Sequence, residues 1–407
     1  MNEEIAKKKT RFFGLSRNVI VLSVVSFLND LSSEMIFPFI PIFLTSVLGA
    51  SVAFVGLVEG IADGASSILK VISGRYSDIV QKRKPFVIWG YGLSALAKPL
   101  LALASSPWHV LAVRFVDRVG KGTRDAPRDA LISLSSEQKS IGRAFGFHRG
   151  ADTLGAAIGP LIAFFILPFI HNNLRTLFFL SFVASLCAVV IIKIFVRDVS
   201  GRVSRQESTA SVAESLSSDM RPLSSLGVPF FIFLIASTIF SLGRASDAFL
   251  LLRAQNVGIA LALLPIIYFV YNITYALTAT PAGILSDKIG HRNTFMIGML
   301  MFSATYMLFA HVDSAYMIWF LFVMFGFYGA LTDGVGRAIV ADLVEEKSRA
   351  TAYGIYNACT GIALLPASFM FGLIWTYQGP SASFQYGAAL GLIGFALFVF
   401  LRIRNHH

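Results

Sequence analysis

Charge is scarce in this chain. Only 14% of its 407 residues are charged and 55% are hydrophobic, whereas soluble domains carry about a quarter charged residues. That shortage excludes a water-soluble protein, because too little polar material is present to cover a wetted surface. Cysteine is nearly absent as well. Cys187 and Cys359 both sit in apolar stretches, with no metal spacing and no disulfide framework, and read as small core residues. No nucleophile–base or metal-ligand spacing is visible, which argues against an enzyme and leaves no role for a cofactor. A signal peptide is excluded in the same way. Lys7, Lys8, Lys9, Arg11 and Arg17 precede an apolar run that is too long and lacks a small-residue cleavage site. The run reads as a first membrane span that is retained.

What is present is apolar length. A stretch of about twenty apolar residues can cross a bilayer as a helix. Twelve such stretches lie near 18–46, 51–74, 85–105, 107–132, 141–168, 174–196, 227–252, 256–284, 293–311, 315–342, 348–375 and 382–402. The expected fold is an all-α membrane protein of two six-helix bundles, 18–196 and 227–402. A cytoplasmic segment 1–17, a Ser-rich charged linker 197–226 and a tail 403–407 complete the chain. Orientation follows from the basic residues. Lys7 to Arg17, Arg75, Lys82 to Lys84, Lys139, Arg143, Arg197, Arg202, Arg205, Arg221, Lys288, Arg292, Lys347, Arg349, Arg402 and Arg404 share one side, against Arg175 and Arg253 on the other. Both termini are therefore expected in the cytoplasm and the chain in the inner membrane. The net charge of +11 reflects this bias and not a nucleic-acid partner.

Ionisable residues inside a span cost about 2.5–3.5 kcal/mol each on insertion scales, so they are functional candidates by default. In "FLNDLSSEMIFPFIP", Asp30 and Glu34 lie one helical turn apart, about 6 Å along the axis. Two carboxylates this close in a medium of low dielectric disfavour a double charge, and one of them can carry a proton. Pro38 and Pro41 then give a place to bend. On span 2, Glu59, Asp63, Ser66 and Lys70 fall within about 40° of one line. Lys98 sits inside span 3. In span 5, His148, Arg149 and Asp152 share a side, and His148 can exchange protons near neutral pH. The second half offers Arg244 and Asp247 in "SLGRASDAF" and Asp333 with Arg337 on span 10. Tyr268, Tyr271, Asn272 and Tyr275 on span 8, and Tyr353, Tyr356 and Asn357 on span 11, suit a mixed ligand wall.

The densest charge lies in "VRFVDRVGKGTRDAPRDALI" (113–132). The stretch is not a phosphate loop, because the G-x-x-x-x-G-K-[ST] order fails and no strand precedes it. Placed on a helix, Arg114, Arg118, Lys121, Asp125 and Arg128 fall within about 40° of one line, with Asp117, Arg124 and Asp129 beside them. Such a helix survives in a bilayer only where its charged side meets a watery cavity or other charges.

The two halves echo one another. "GRYSDIVQKRKP" and "GILSDKIGHRNT" both place Gly, Asp at +4 and Arg at +9: Gly74, Asp78, Arg83 and Gly283, Asp287, Arg292. "DRVG" (Asp117 to Gly120) matches "DGVG" (Asp333 to Gly336). In these segments the whole chain resembles the major facilitator superfamily, whose signature turn joins the second and third helix of each half. Gln81 stands where a glycine is usual, while Gly290 is kept. The resemblance implies gating by Asp78, Arg83, Asp287 and Arg292. "GAAIGP" (Gly155 to Pro160) is similar to a segment of the family's proton-coupled exporters, without the paired glycines that normally follow. Arg114 matches the family's span-4 arginine, with Gly120 six residues on, and this implies proton coupling or substrate contact.

The expectation is a monomeric, proton-coupled secondary transporter of a small organic, anionic solute, powered by the proton gradient through Asp30, Glu34, Arg114 and His148. Substrate contacts are expected from Glu59, Asp63, Lys98, Asp117, Arg118, Lys121, Arg149, Asp152, Arg244, Asp247, Tyr271, Tyr275, Asp333 and Tyr356. Multidrug or cation efflux, transport of a metal or a siderophore-like metal chelate, and a non-transporting sensor are the alternatives.

Overall fold

A computed structural model describes residues 15–80, 82–136, 141–198, 226–344 and 349–399. Most of the expected terminal segment and linker, the whole tail and the side chain of Asp78 lie outside the described residues. Twelve long helical spans run through the rest: α1 (Arg17–Ile36), α2 (Val52–Val80), α3 (Lys84–Ala102), α4 (Pro107–Leu134), α5 (Ile141–Ile166) and α6 (Leu174–Phe195). The second half holds α7a (Gly227–Gly243) with α7b (Ala248–Asn256), α8 (Leu264–Ile289), α9 (His291–His311), α10 (Ala315–Leu343), α11 (Arg349–Gln378) and α12 (Pro380–Val399). All but α3 and α4 are long and apolar enough to cross a membrane by length and composition. Those two are the helices that carry Lys98 and the charged stretch.

Local chemistry marks the ends. Ser16 Oγ accepts from the Val19 amide at the start of α1, and Asn173 Oδ1 accepts from Arg175 and Thr176 at the start of α6. Pro107 opens α4, where its missing N–H would have had no partner. Beyond Ile36 the first span changes helix type. A 3₁₀ turn (Phe37–Phe39), a single α turn (Ile40–Ile42) and a π turn (Phe43–Val47) follow, which places the distortion at Pro38 and Pro41.

The seventh span departs from the sequence reading of one continuous helix over 227–252. It breaks at Arg244–Asp247, with Arg244 extended (φ −88°, ψ 98°). No proline forces the break. One tertiary and one local side chain take up the freed backbone instead: the Ser246 amide donates to Ser368 Oγ at 3.1 Å and the Ala248 amide to Ser246 Oγ at 3.3 Å. Irregular backbone at membrane depth persists where protein groups satisfy it in this way.

The packing scheme repeats. In the first half α1 packs on α5 and α6, α2 on α4, and α3 on α4 and α6. In the second, α7a packs on α11 and α12, α8 on α10, and α9 on α10 and α12. Advancing each partner by six converts one set into the other, so the bundles are pseudo-symmetric. They meet along α2 with α11 and along α5 with α8, which are themselves symmetry mates.

Within the first bundle, α5 lies against α1. A Cβ on Gly155 or Gly159 would stand 2.5 Å from the Phe27 or Leu31 carbonyl oxygen. The spacing of small residues in "GAAIGP" is thus used for backbone approach.

The α2–α11 seam is closed at the end away from the signature turns. A Cβ on Gly60 would meet the Leu365 carbonyl oxygen at 2.7 Å, and the Ala53 amide donates to Thr376 Oγ1 at 2.9 Å. One apolar cluster then runs across both halves, from Phe39, Ile40 and Phe43 to Phe249, Leu250 and Leu251. Past Ser67 and Gly361 the seam parts.

Candidate functional site

Where the seam parts, a cavity of about 860 Å³ lies between the bundles and opens toward the end that bears the signature turns. Its first-half wall holds Ser66, Ser67, Lys70, Asp129, His148, Arg149 and Asp152. Its second-half wall holds Ser241, Arg244, Tyr275, Asp333, Arg337, Tyr356 and Asn357. The size and the mixed lining fit a small-molecule site.

The charges on these walls are mostly spoken for. Lys70 Nζ lies 3.1 Å from Asp125, Asp129 accepts from Arg128 at 3.0 Å, and Arg244 meets Asp333 at 3.4 Å. His148 Nε2 stands 3.7 Å from Asp152, too far for a hydrogen bond, and both ring nitrogens lack a hydrogen-bond partner. Arg149 and Arg337 are exposed, and among the described residues neither has an ion pair.

Between the cavity and the closed end lies an ionic layer, almost all of it in the first bundle. Glu59 is 1% exposed, and both its oxygens accept from Arg114 Nη2, at 2.8 and 2.9 Å. Arg114 also reaches Asp117 at 3.7 Å and lies over the Phe37 ring. Ser246, in the α7 break, donates to Glu59 at 3.4 Å, so the buried ion pair touches both halves. Arg118 sits among Asp63, Asp117, Glu59 and Glu34. Lys121 is exposed, with Asp125 and Asp30 nearby.

Lys98 is 3% exposed and donates to Ser185 Oγ at 2.6 Å; Ser185 donates to Ser32 Oγ, and Ser32 to the Ser181 carbonyl. Arg124 donates to Ser94 Oγ at 2.7 Å and lies over the Tyr91 ring at 4.3 Å. Eight carboxylates inside this bundle (Asp30, Glu34, Glu59, Asp63, Asp117, Asp125, Asp129, Asp152) face seven bases (Lys70, Lys98, Arg114, Arg118, Lys121, Arg124, Arg128), and Arg149 stands apart on the cavity wall with no ion pair among the described residues. Mutual neutralisation is what lets so many charges stay at membrane depth.

The sequence-derived candidates thus divide between two levels. His148, Arg149, Asp152, Arg244, Tyr275, Asp333 and Tyr356 line the cavity. Asp30, Glu34, Glu59, Asp63, Lys98, Arg114, Asp117, Arg118, Lys121, Asp247 and Tyr271 do not line it. Most of these belong to the ionic layer. Asp247 stands in the α7 break near Arg244 and Asp63, and Tyr271 packs on Phe325.

Asp30 has Asp152 and Lys121 as neighbours, and Glu34 has Asp30, Arg118 and Tyr268. One Glu34 oxygen is buried without a hydrogen-bond partner. At the turns, the Arg83 and Lys84 amides donate to Asp198, Arg292 donates to the Val399 carbonyl at 2.6 Å, and Asp287 stands 3.6 Å from His291. His291 bonds Asp342 at 2.6 Å and pins the α8–α9 turn to the end of α10. Sequence reasoning did not assign roles to His291, Ser246, Lys70 or Arg337. Only Lys70 and Arg337 carried a signal, as charges inside span 2 and span 10.

Comparison with known proteins fixes the family. Residues 22–252 and 230–407 each match the Major Facilitator Superfamily. The chain belongs to that superfamily. It is 35% identical to an uncharacterised MFS-type transporter of Methanocaldococcus jannaschii over 95% of both chains. It is 29% identical to the multidrug resistance protein MdtH of Edwardsiella ictaluri over 40% of this chain and 39% of that one. Among solved structures, a POT peptide transporter superposes with a TM-score of 0.79 at 13% identity, covering 96% of this chain and 95% of that one. The nucleoside transporter NupG superposes with a TM-score of 0.76 at 15% identity, covering 94% and 99%. These identities speak to the fold alone. The chain is a multi-pass membrane protein of a transporter family and not an enzyme.

Proposed function

We propose that this superfamily member carries a small organic anion across the membrane by alternating access, coupled to protons, with its basic turns on the cytoplasmic face of the inner membrane. In this reading the two bundles, 18–196 and 227–402, rock about the cavity as rigid bodies. The observation that carries the reading is a cavity between pseudo-symmetric bundles, sealed at one end, in which Asp129 and Asp333 face arginines while Arg149 and Arg337 have no ion pair among the described residues. Unneutralised guanidinium groups in a cleft with low-dielectric walls favour a carboxylate- or phosphate-bearing solute.

Support for proton coupling comes from a line of titratable groups that leaves the cavity: His148 and Asp152 at the wall, then Asp30, then Glu34 beside Tyr268 of α8. A carboxyl oxygen buried without a donor, as on Glu34, is tolerated far better on a neutral acid than on an anion. Protonation there reaches the second bundle through Tyr268, and the Glu59–Arg114–Ser246 contact gives a second link between the halves.

The test is flux in proteoliposomes under an imposed pH gradient, with parallel panels of organic anions and organic cations. Movement of anions driven by the gradient is expected, and Glu34→Gln and Asp30→Asn should abolish the driven flux while leaving anion exchange at equal pH. Local similarity to a multidrug resistance protein favours drug-cation efflux as the second reading. Gradient-driven flux of cations alone would establish it and remove the first.

A further inference from the structure

The two free guanidinium groups do not sit together. Arg149 projects from α5 of the first bundle and has the Tyr275 phenol of α8 as a neighbour. Arg337 projects from α10 of the second bundle, near Tyr356 of α11. Both tyrosines have Arg244 and Asp333 as neighbours. Arg149 stands on the first-half wall of the cavity, with Asp152 one turn along α5, and Arg337 stands on the second-half wall. Each wall thus offers one guanidinium with no ion pair among the described residues. The Arg244–Asp333 pair and the two phenols add donors and acceptors without net charge.

This arrangement discriminates among anions. A monoanion neutralises one arginine and leaves the other bare. A compact dianion such as a phosphate monoester places both charges at one pole. An extended solute with an anionic group at each end satisfies both, each carboxylate taking a guanidinium fork in the planar two-point geometry that arginine prefers. The geometry points to a subsite for a dicarboxylate-like dianion with separated charges, with Arg149 and Arg337 as its two poles and Tyr275, Tyr356 and the Arg244–Asp333 pair adding polar contacts without net charge. Because the poles belong to different bundles, such a solute is gripped by both halves at once. The inference rests on the anion-carrier reading and adds the solute's charge count and spacing to it.

The test uses the full chain in nanodiscs, with binding of straight-chain α,ω-dicarboxylates from malonate to suberate measured calorimetrically. Monocarboxylates of equal length, glycerol phosphate as a compact dianion, and an organic ammonium series serve as the comparison arms. Affinity is expected to peak at one dicarboxylate length and to exceed the matching monocarboxylate at least tenfold. Arg149→Gln and Arg337→Gln should each flatten the length series and bring the ratio near one, with monocarboxylate affinity changed less than threefold. Both residues are exposed, and an unchanged melting profile separates a lost pole from a lost fold. A flat length series, equal binding of mono- and dicarboxylates, or a preference for glycerol phosphate would overturn the two-pole subsite while leaving an anion carrier standing. Binding of the ammonium series with no anion bound would remove both.

Discussion

Between α2 and α4 of the first bundle the central contact is Glu59 with Arg114. Between the corresponding α8 and α10 of the second, Tyr271 packs on Phe325, ring centroids 5.3 Å apart. Where α3 meets α6 the contact is Lys98 with Ser185; where α9 meets α12 it is Tyr306 against Phe384, at 5.2 Å. One helix arrangement is thus filled in two ways, with charges and hydroxyls in the first half and with interlocked rings in the second. Lipid tails are as apolar as leucine, so helix association in a bilayer draws on packing and on polar contacts and gains little from hydrophobicity. Rings give a contact with one good geometry. Ion pairs and hydroxyl chains can exchange partners when a proton or a solute arrives. The second bundle is thus held by contacts of fixed geometry and the first by contacts between exchangeable polar partners.

The sharpest way to break this comparison is Glu59→Ala. It leaves Arg114 buried without its carboxylate, and loss of one partner of such a pair costs about 3–5 kcal/mol. A large fall in the detergent melting temperature is expected, and replacement of both residues by Leu and Met should recover most of it. An unchanged melt after Glu59→Ala would mean the ionic core does not hold the first bundle together.

The counterpart in the second bundle is Phe302→Ala. Phe302 is fully buried among Phe240, Tyr306 and Tyr328. The expected loss is about 3 kcal/mol, the low end for such truncations, and no second substitution of charge should rescue it.

A smaller effect is expected at the seam. Gly60→Val pushes a side chain onto the Leu365 carbonyl and should open the sealed end. Labelling of a cysteine placed at Ala53 should then rise about tenfold, equivalent to about 1.4 kcal/mol, with little change in melting temperature. The smallest is Ser185→Ala, about 1 kcal/mol, because Lys98 keeps the Ser94 carbonyl at 3.5 Å. In a Lys98→Met background the same change should cost nothing measurable.

Much of the fold was legible because membrane helices announce themselves by apolar length, and the duplicated turns at Gly74 and Gly283 exposed the repeat. The one-sided charge of α4 was legible for the same reason that made it conspicuous: a half-charged helix at membrane depth must face charges or water. The break at Arg244–Asp247 was not legible. It contains no proline, and its stability depends on Ser368 and Glu59, more than a hundred residues away in either direction. The division of the candidates into cavity wall and ionic layer was equally hidden. Arg118 and Arg149 read alike in sequence, yet one lies among four carboxylates and the other faces an open cavity with no ion pair among the described residues.

Composition, spacing and internal symmetry thus determined by themselves that the chain is a duplicated twelve-span membrane protein with a cationic fourth helix. Each of those features is local or periodic and can be read along the chain. Tertiary structure alone decided which charges neutralise one another and which stay free. Compensation depends on distances of a few ångströms between helices, and those distances are set by where glycine seams bring backbones together and by where the seams part.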